Sequence, residues 1–282
     1  MSKPFNVKGK GRHYKSPVTG NNLPSVTNIL DCYPKQRALV PWAANMQKEL
    51  DVEAAWTVYQ SRKEFRDADH FRQVLDDFIG KQRKHKAELA KAGDLGTKVH
   101  KAIDCTIRAS MGLPAEEPPT LEGPALWAYM SWEDWWRQTD IQPRAVEKFV
   151  FSDKWGYAGT TDLIADVRLS EALYKRLKPE FRDNLRTMLH LGEVAPMVID
   201  VKTGKGVYPD MLLQLAAYLE AAIEIGELKE KVDPWGMILR LPKNEKDPEF
   251  EVRFLRPEHR RQKLETFLAV KKVWEDMHNV NQ

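Results

Sequence analysis

From Ala145 onward the sequence changes period, and that change most narrows the folds open to the chain. Helical stripes give way to short strand-like runs. Ala145–Ser152 reads as one strand and Tyr157–Val167 as a second, joined by a tight turn at Lys154-Trp155-Gly156. Met197–Thr203 is a third. Pro209 opens a helix through Glu224, with Leu212, Leu215, Leu219 and Ala222 as its buried stripe. Trp235–Leu241 and Phe250–Leu255 follow as strands around a charged turn, and a helix from Pro257 to about His278 closes the chain. This order predicts an α/β (α+β) fold, a mixed central β-sheet flanked by helices.

The first part reads as helical. Leu23–Leu30 is a short helix capped by Ser25 or Thr27, and residues 36–60 and 62–90 carry sparse apolar stripes. Leu95, Val99, Ile103 and Ile107 predict a helix from Gly93 to Ser110. Residues 112–123, rich in Pro and Glu, read as a loop, and 124–139 as a helix dense in Trp. The expected division is a helical N-terminal addition over 1–92, packed on a core over 93–282 that carries a helical insertion at about 168–196.

Charge limits the partners. Lys and Arg number 44 against 41 Asp and Glu, a net charge of +3 in 282 residues. A globally basic nucleic-acid coat is excluded, so any such binding needs local patches or metal ions among carboxylates. No apolar run reaches membrane-spanning length, and Met1–Tyr14 lacks the apolar core of a signal peptide. Two cysteines, Cys32 and Cys105, make neither a disulfide framework nor a four-thiolate cluster. A reduced, cytoplasmic protein without an iron–sulfur cluster is expected. No Gly-x-x-x-x-Gly-Lys-Ser/Thr is present, so no nucleotide cofactor is expected.

The sharpest chemical signal is Val198-Ile-Asp-Val-Lys-Thr203. Alternate strand residues share a face, so Asp200 and Lys202 point together. A carboxylate and an ammonium so fixed suit metal-assisted hydrolysis, although a surface ion pair is the ordinary reading of Asp-x-Lys alone. Asp162 supplies a second carboxylate on a neighbouring strand, three residues after Gly159, where the missing side chain would let a phosphodiester approach. Asp166 lies toward the far strand end. Gly96 and His100 stand one helical turn apart, leaving room beside an imidazole that can ligate Mn²⁺-like ions. Gln214 and Tyr218 form a similar pair on the helix after the Asp-x-Lys strand. Glu147 is a further metal candidate, expected on the face of Phe149 and Phe151; the alternative is a strand-end acid paired with Arg or Lys.

Gly-x-x-x-His, Gly-x-x-Asp, Asp-x-Lys and Gln-x-x-x-Tyr occur in that order. Over about residues 93–241 the sequence thereby resembles the PD-(D/E)XK nuclease superfamily in its RecB-like exonuclease branch, and is similar to phage and mitochondrial genome maintenance exonucleases. A weaker likeness runs through His13-Tyr14, Leu23–Leu30 and Trp42. The resemblance implies a restriction-endonuclease-like core and a metal-dependent DNA exonuclease of replication, recombination or repair. It implies one or two Mg²⁺ or Mn²⁺ ions held by His100, Asp162, Asp200 and the Val201 carbonyl, with Lys202 as the catalytic lysine and Gln214 and Tyr218 in support. DNA, at ends or single-stranded, is the implied partner, with a separate recombination or replication protein beside it and no membrane. The cytoplasm of a bacterium or phage-infected host is the implied setting.

The candidates for DNA contact are Gly96, Gly159, Thr161, Thr203, Lys205 and Tyr208, the last able to stack on a base. Lys81–Lys86 with Arg62, Lys63, Arg66 and Arg72, and the run Arg256–Lys263, could track phosphates or form solvated helix faces. Trp127, Trp132, Trp135 and Trp136 at helical spacing fit a core better than base stacking. A structure-specific endonuclease and a non-catalytic recombination accessory protein are the alternatives.

Overall fold

The computed structural model describes residues 3–34, 36–61, 64–79, 84–168, 170–176, 193–244, 246 and 250–278. The chain forms two compact units, one of residues 1–33 with 95–282 and the other of residues 34–94. The mixed sheet lies wholly in the first. Its strands are β4 (Asp140–Ser152), β5 (Tyr157–Arg168), β6 (Val194–Lys202), β7 (Trp235–Arg240) and β8 (Glu251–Leu255), in sequential order. All neighbours run antiparallel except β6 and β7, which are parallel. A parallel pair needs a long crossover, and α7 (Pro209–Glu224) supplies it. β4 begins five residues before the expected Ala145 (Asp140 against 145). Ion pairs hold its early part to β5: Arg144 with Asp166 at 2.6 Å and Asp140 with Arg168 at 2.9 Å.

Each face of the sheet carries its own core. On one, Leu163, Ala165, Val167, Met197, Ile199, Met237 and Leu239 pack with Val99, Ile103 and Ile107 of α4 (Lys84–Ser110) and Trp132 and Trp135 of α5 (Gly123–Gln138). On the other, Ile164, Val198 and Ile238 meet α7, together with α1 (Val26–Leu30) and α8 (Pro257–His278). The strict alternation at Val198/Ile199 and Ile238/Leu239 is the period-2 rule of a sheet covered on both sides.

That alternation breaks in β4 and β5. Val146 joins the α4–α5 core, yet Val150, four residues on, joins the α7 core. Tyr157 faces α7, as does Ile164, seven residues later. Both strands therefore exchange faces part-way along, and β4 does so where Glu147 adopts a left-handed φ of 46°. A non-glycine residue there costs about 1–3 kcal/mol.

The expected helical addition over 1–92 divides differently. Residues 5–24 form an antiparallel sheet of β1 (Phe5–Val7), β2 (Gly11–Lys15) and β3 (Asn22–Pro24), which belongs with the core unit. Tyr14 and Leu23 are buried with Ala158 of β5, and α1 buries Val26, Ile29 and Leu30 against α7 and α8. Apolar residues this near the N-terminus bind residues 1–33 to the core by burial. Ser25 is the cap of α1, its Oγ accepting from Asn28 N at 3.1 Å. The second unit contains α2 (Gln36–Gln60) and α3 (Ala68–Ile79), and its boundary falls inside α4. In the expected insertion, α6 (Glu171–Arg176) is helical, and 177–192 lie outside the described residues. Among the described residues, no helix is long and apolar enough to cross a membrane.

Candidate active site

The site forms where β4 and β5 exchange faces. The register pairs Val146 with Leu163 and Lys148 with Thr161, so Glu147 stands across from Asp162. The β5–β6 ladder ends at Leu163–Ile199, one step before Asp162 and Asp200. Beyond it a side chain takes over from the backbone. Val201 N–H donates to Asp162 Oδ2 at 2.6 Å. From α4, His100 Nδ1 lies 3.2 Å from Asp162 Oδ1. One ligand atom each from His100, Glu147 and Asp162 lie within 4.8 Å of one another.

Asp200 and Lys202 share a face of β6 as the strand period requires, with Nζ 2.6 Å from Oδ2. Asp200 is only 2 % exposed. Its Oδ2 has the ion pair but no aligned hydrogen bond.

The electrostatics follow from three carboxyls facing two cations. Burial pushes the Asp162 carboxyl up, but His100, Lys202 and the Val201 N–H together hold it below the ordinary range. Burial lowers His100, and the charge and hydrogen bond of Asp162 outweigh it, so the imidazole holds its proton more tightly than usual. Burial and the Asp162 charge raise Asp200 despite Lys202. Burial, then Asp162, push Glu147 up to about 7. Lys202 is raised, since Asp200 and Asp162 outweigh its own burial.

A divalent cation fits this donor set. Ligand atoms about 2–2.2 Å from a cation stand roughly 3–4.5 Å apart, and those of His100, Glu147 and Asp162 all lie within 4.8 Å of one another. The excess of carboxyls, and a buried Asp200 oxygen lacking an aligned hydrogen bond, are what a cation would compensate.

Other candidates fall into place unevenly. Gln214 Nε2 donates to the Tyr218 hydroxyl at 3.0 Å, both on α7 and both buried. Burial pushes the Tyr218 phenol far above its usual value, and Asp200 adds to the shift. Gly159 is not an opening for a phosphodiester. A Cβ there would meet Tyr218 Cε1 at 2.5 Å, so the glycine admits the tyrosine ring. Thr161 is fully buried and cannot touch DNA. Gly96 does approach the strand end, where a Cβ would lie 3.3 Å from Thr203 Oγ1. Lys205 and Tyr208 are exposed in the segment between β6 and α7.

Glu147 sits with His100 and Asp162, at a left-handed backbone position two residues before Phe149 and four before Phe151 on β4. Those two rings pack beside Tyr14 and Leu23. Asp166 is bound bidentately by Arg144 at 2.8 and 2.6 Å. Trp132 and Trp135 are core, and Trp127 is exposed at 38 %. Of the basic runs, Arg62, Lys63 and Lys81–Arg83 lie outside the described residues.

Sequence reasoning missed Arg240. It stands beside Lys202 in the β6–β7 register and is fully buried. Its Nη1 donates to Gly204 O at 3.3 Å, tying down the loop after the Asp-x-Lys strand. The cation in an otherwise apolar run, Trp235-Gly-Met-Ile-Leu-Arg240, was the available signal. Compared with known proteins, the chain matches no protein-family model and no curated protein.

Proposed function

We propose that this chain is a Mg²⁺- or Mn²⁺-dependent deoxyribonuclease that hydrolyses phosphodiester bonds at DNA ends, in DNA replication, recombination or repair. The observation that carries the reading is the convergence of His100, Glu147 and Asp162 beside the Asp200–Lys202 pair at one sheet irregularity. Both halves of the chemistry are then at hand. His100, Glu147, Asp162 and Asp200 would hold the cation, with the Val201 carbonyl as a further ligand. The bound cation would supply Lewis acidity at the scissile phosphate.

The chain's own residues do the rest. Lys202 presents a positive charge, fixed by Asp200, where negative charge builds on the phosphorane. A fixed ammonium costs no reorganisation at the moment of reaction. It can also hold the attacking water by hydrogen bond. Gln214 and Tyr218 line the α7 side as neutral donors. The preference for ends over internal bonds rests on the sequence resemblance.

The test is degradation of end-labelled single- and double-stranded DNA, linear and circular, with Mg²⁺, Mn²⁺ or EDTA. Linear strands should be lost only with metal. Lys202→Ala should retain the circular-dichroism spectrum and lose roughly 100-fold or more in rate. Undiminished cutting by a clean Lys202→Ala preparation would overturn the lysine's role. Cutting of circles would identify an endonuclease, and DNA binding without cutting under any metal would identify an accessory protein.

A further inference from the structure

We propose that Arg12, held in place by Tyr14, is a phosphate-binding subsite for the DNA strand beside the carboxylate site; the proposal rests on the nuclease reading. Arg12 and Tyr14 alternate on β2 and so share a face. That face is turned to β5. Tyr14 is 2 % exposed, its ring is 5.2 Å from that of Phe149, and its hydroxyl is 3.3 Å from Thr160 Oγ1. Thr160 lies two residues before Asp162, about 6–7 Å along the strand. The N-terminal sheet thus reaches the flank of the site.

Arg12 is the exposed end of this chain of contacts. Its Nη2 donates to the Tyr14 hydroxyl at 2.5 Å, and its guanidinium carbon is 5.2 Å from the ring centroid. A guanidinium has five N–H donors. Among the described residues Arg12 has no carboxylate partner, whereas Arg108, Arg144, Arg168, Arg253, Arg256 and Arg260 of the same unit all pair with acids.

Its backbone is fixed as well. Arg12 pairs with Asn6 across β1, and its carbonyl accepts from Ser25 N at 3.0 Å. Gly11, at φ 72°, leaves the space that the Asn28 side chain fills, and Asn28 Nδ2 donates to Lys10 O at 2.6 Å. An arginine anchored at backbone and head group, with donors unspent, is preorganised for a phosphate oxyanion. A phosphodiester neighbouring the scissile one is the ligand that chemistry fits.

Binding of a fluorescein-labelled oligothymidylate, followed by anisotropy in EDTA across a salt series, tests this without catalysis. Arg12→Gln should bind roughly tenfold more weakly. Its slope of log affinity against log salt should flatten by about 0.7, the loss of one phosphate contact on a single strand. Arg12→Lys should keep most of the slope and lose part of the affinity, as a point charge replaces the fork. Under turnover, Arg12→Gln should raise KM and hold kcat, and its melting temperature should match wild type. If wild type binds and cuts DNA while Arg12→Gln shows the same affinity, slope and KM, this subsite is overturned and the nuclease reading stands. If wild type neither binds nor cuts DNA, the nuclease reading falls and this proposal falls with it.

Discussion

Glu147 combines a left-handed backbone with a half-buried carboxyl facing Asp162. Local strain and electrostatic repulsion at one residue are features that surrounding structure must over-determine, and they cluster at functional sites. Its carboxyl sits at about 7 instead of 4.5, burial being the larger cause and the Asp162 charge the next. The folded state therefore holds this proton more tightly than the unfolded chain does. The resulting stabilisation is complete below about pH 4.5 and is lost as pH rises through about 7. Without divalent metal, the stability of wild type relative to Glu147→Gln should fall by up to about 3 kcal/mol between about pH 5 and pH 8. Urea unfolding of both proteins in EDTA across that range measures it. A constant difference would mean that Glu147 is solvated in the folded protein.

At the scale of elements, the close approach of α7 to β5 decides the site's shape. Gly159→Ala would put a methyl group 2.5 Å from Tyr218 Cε1. It should destabilise by roughly 1–3 kcal/mol. Pairing it with Tyr218→Ala should cost less than the sum of the two single changes, because the clash partner is gone. Chemical denaturation of the four proteins checks both statements.

The elements themselves were largely legible. The Pro209–Glu224 helix and the core strands declare themselves by period and by the glycines and prolines between them, and two of the candidate residues, His100 and Asp162, lie in contact. Three things were not legible. A left-handed φ at a glutamate leaves no mark in residue type, so the face exchange stayed hidden. Gly159 reads the same whether its space admits a ligand or a tyrosine ring. Strands as short as Phe5–Val7 and Asn22–Pro24 carry too few residues for any period to show.

For the molecule as a whole, the core unit is discontinuous in sequence, closed by residues 1–33. Val26, Ile29 and Leu30 lie buried between α7 and α8. Removing residues 1–33 would uncover the surface they fill. At about 1.5–3 kcal/mol for each such side chain, the loss is roughly 5 kcal/mol or more, comparable with the total stability of many domains. The truncated chain should be insoluble or lack a cooperative melting transition, seen by differential scanning calorimetry. A truncated chain that melts as wild type does would show that α1 contributes little to the core.

The face exchange in β4 and β5 also bears on how such a gene can change over time. Removing a single codon between Val146 and Val150 would turn Phe149 and Phe151 toward α7 and Val150 away from it, and would put the hairpin end of β4 out of register with β5. Substitutions in that window remain open to selection one at a time. Its length does not, so the spacing around Glu147 should be inherited intact even where the residues on either side drift.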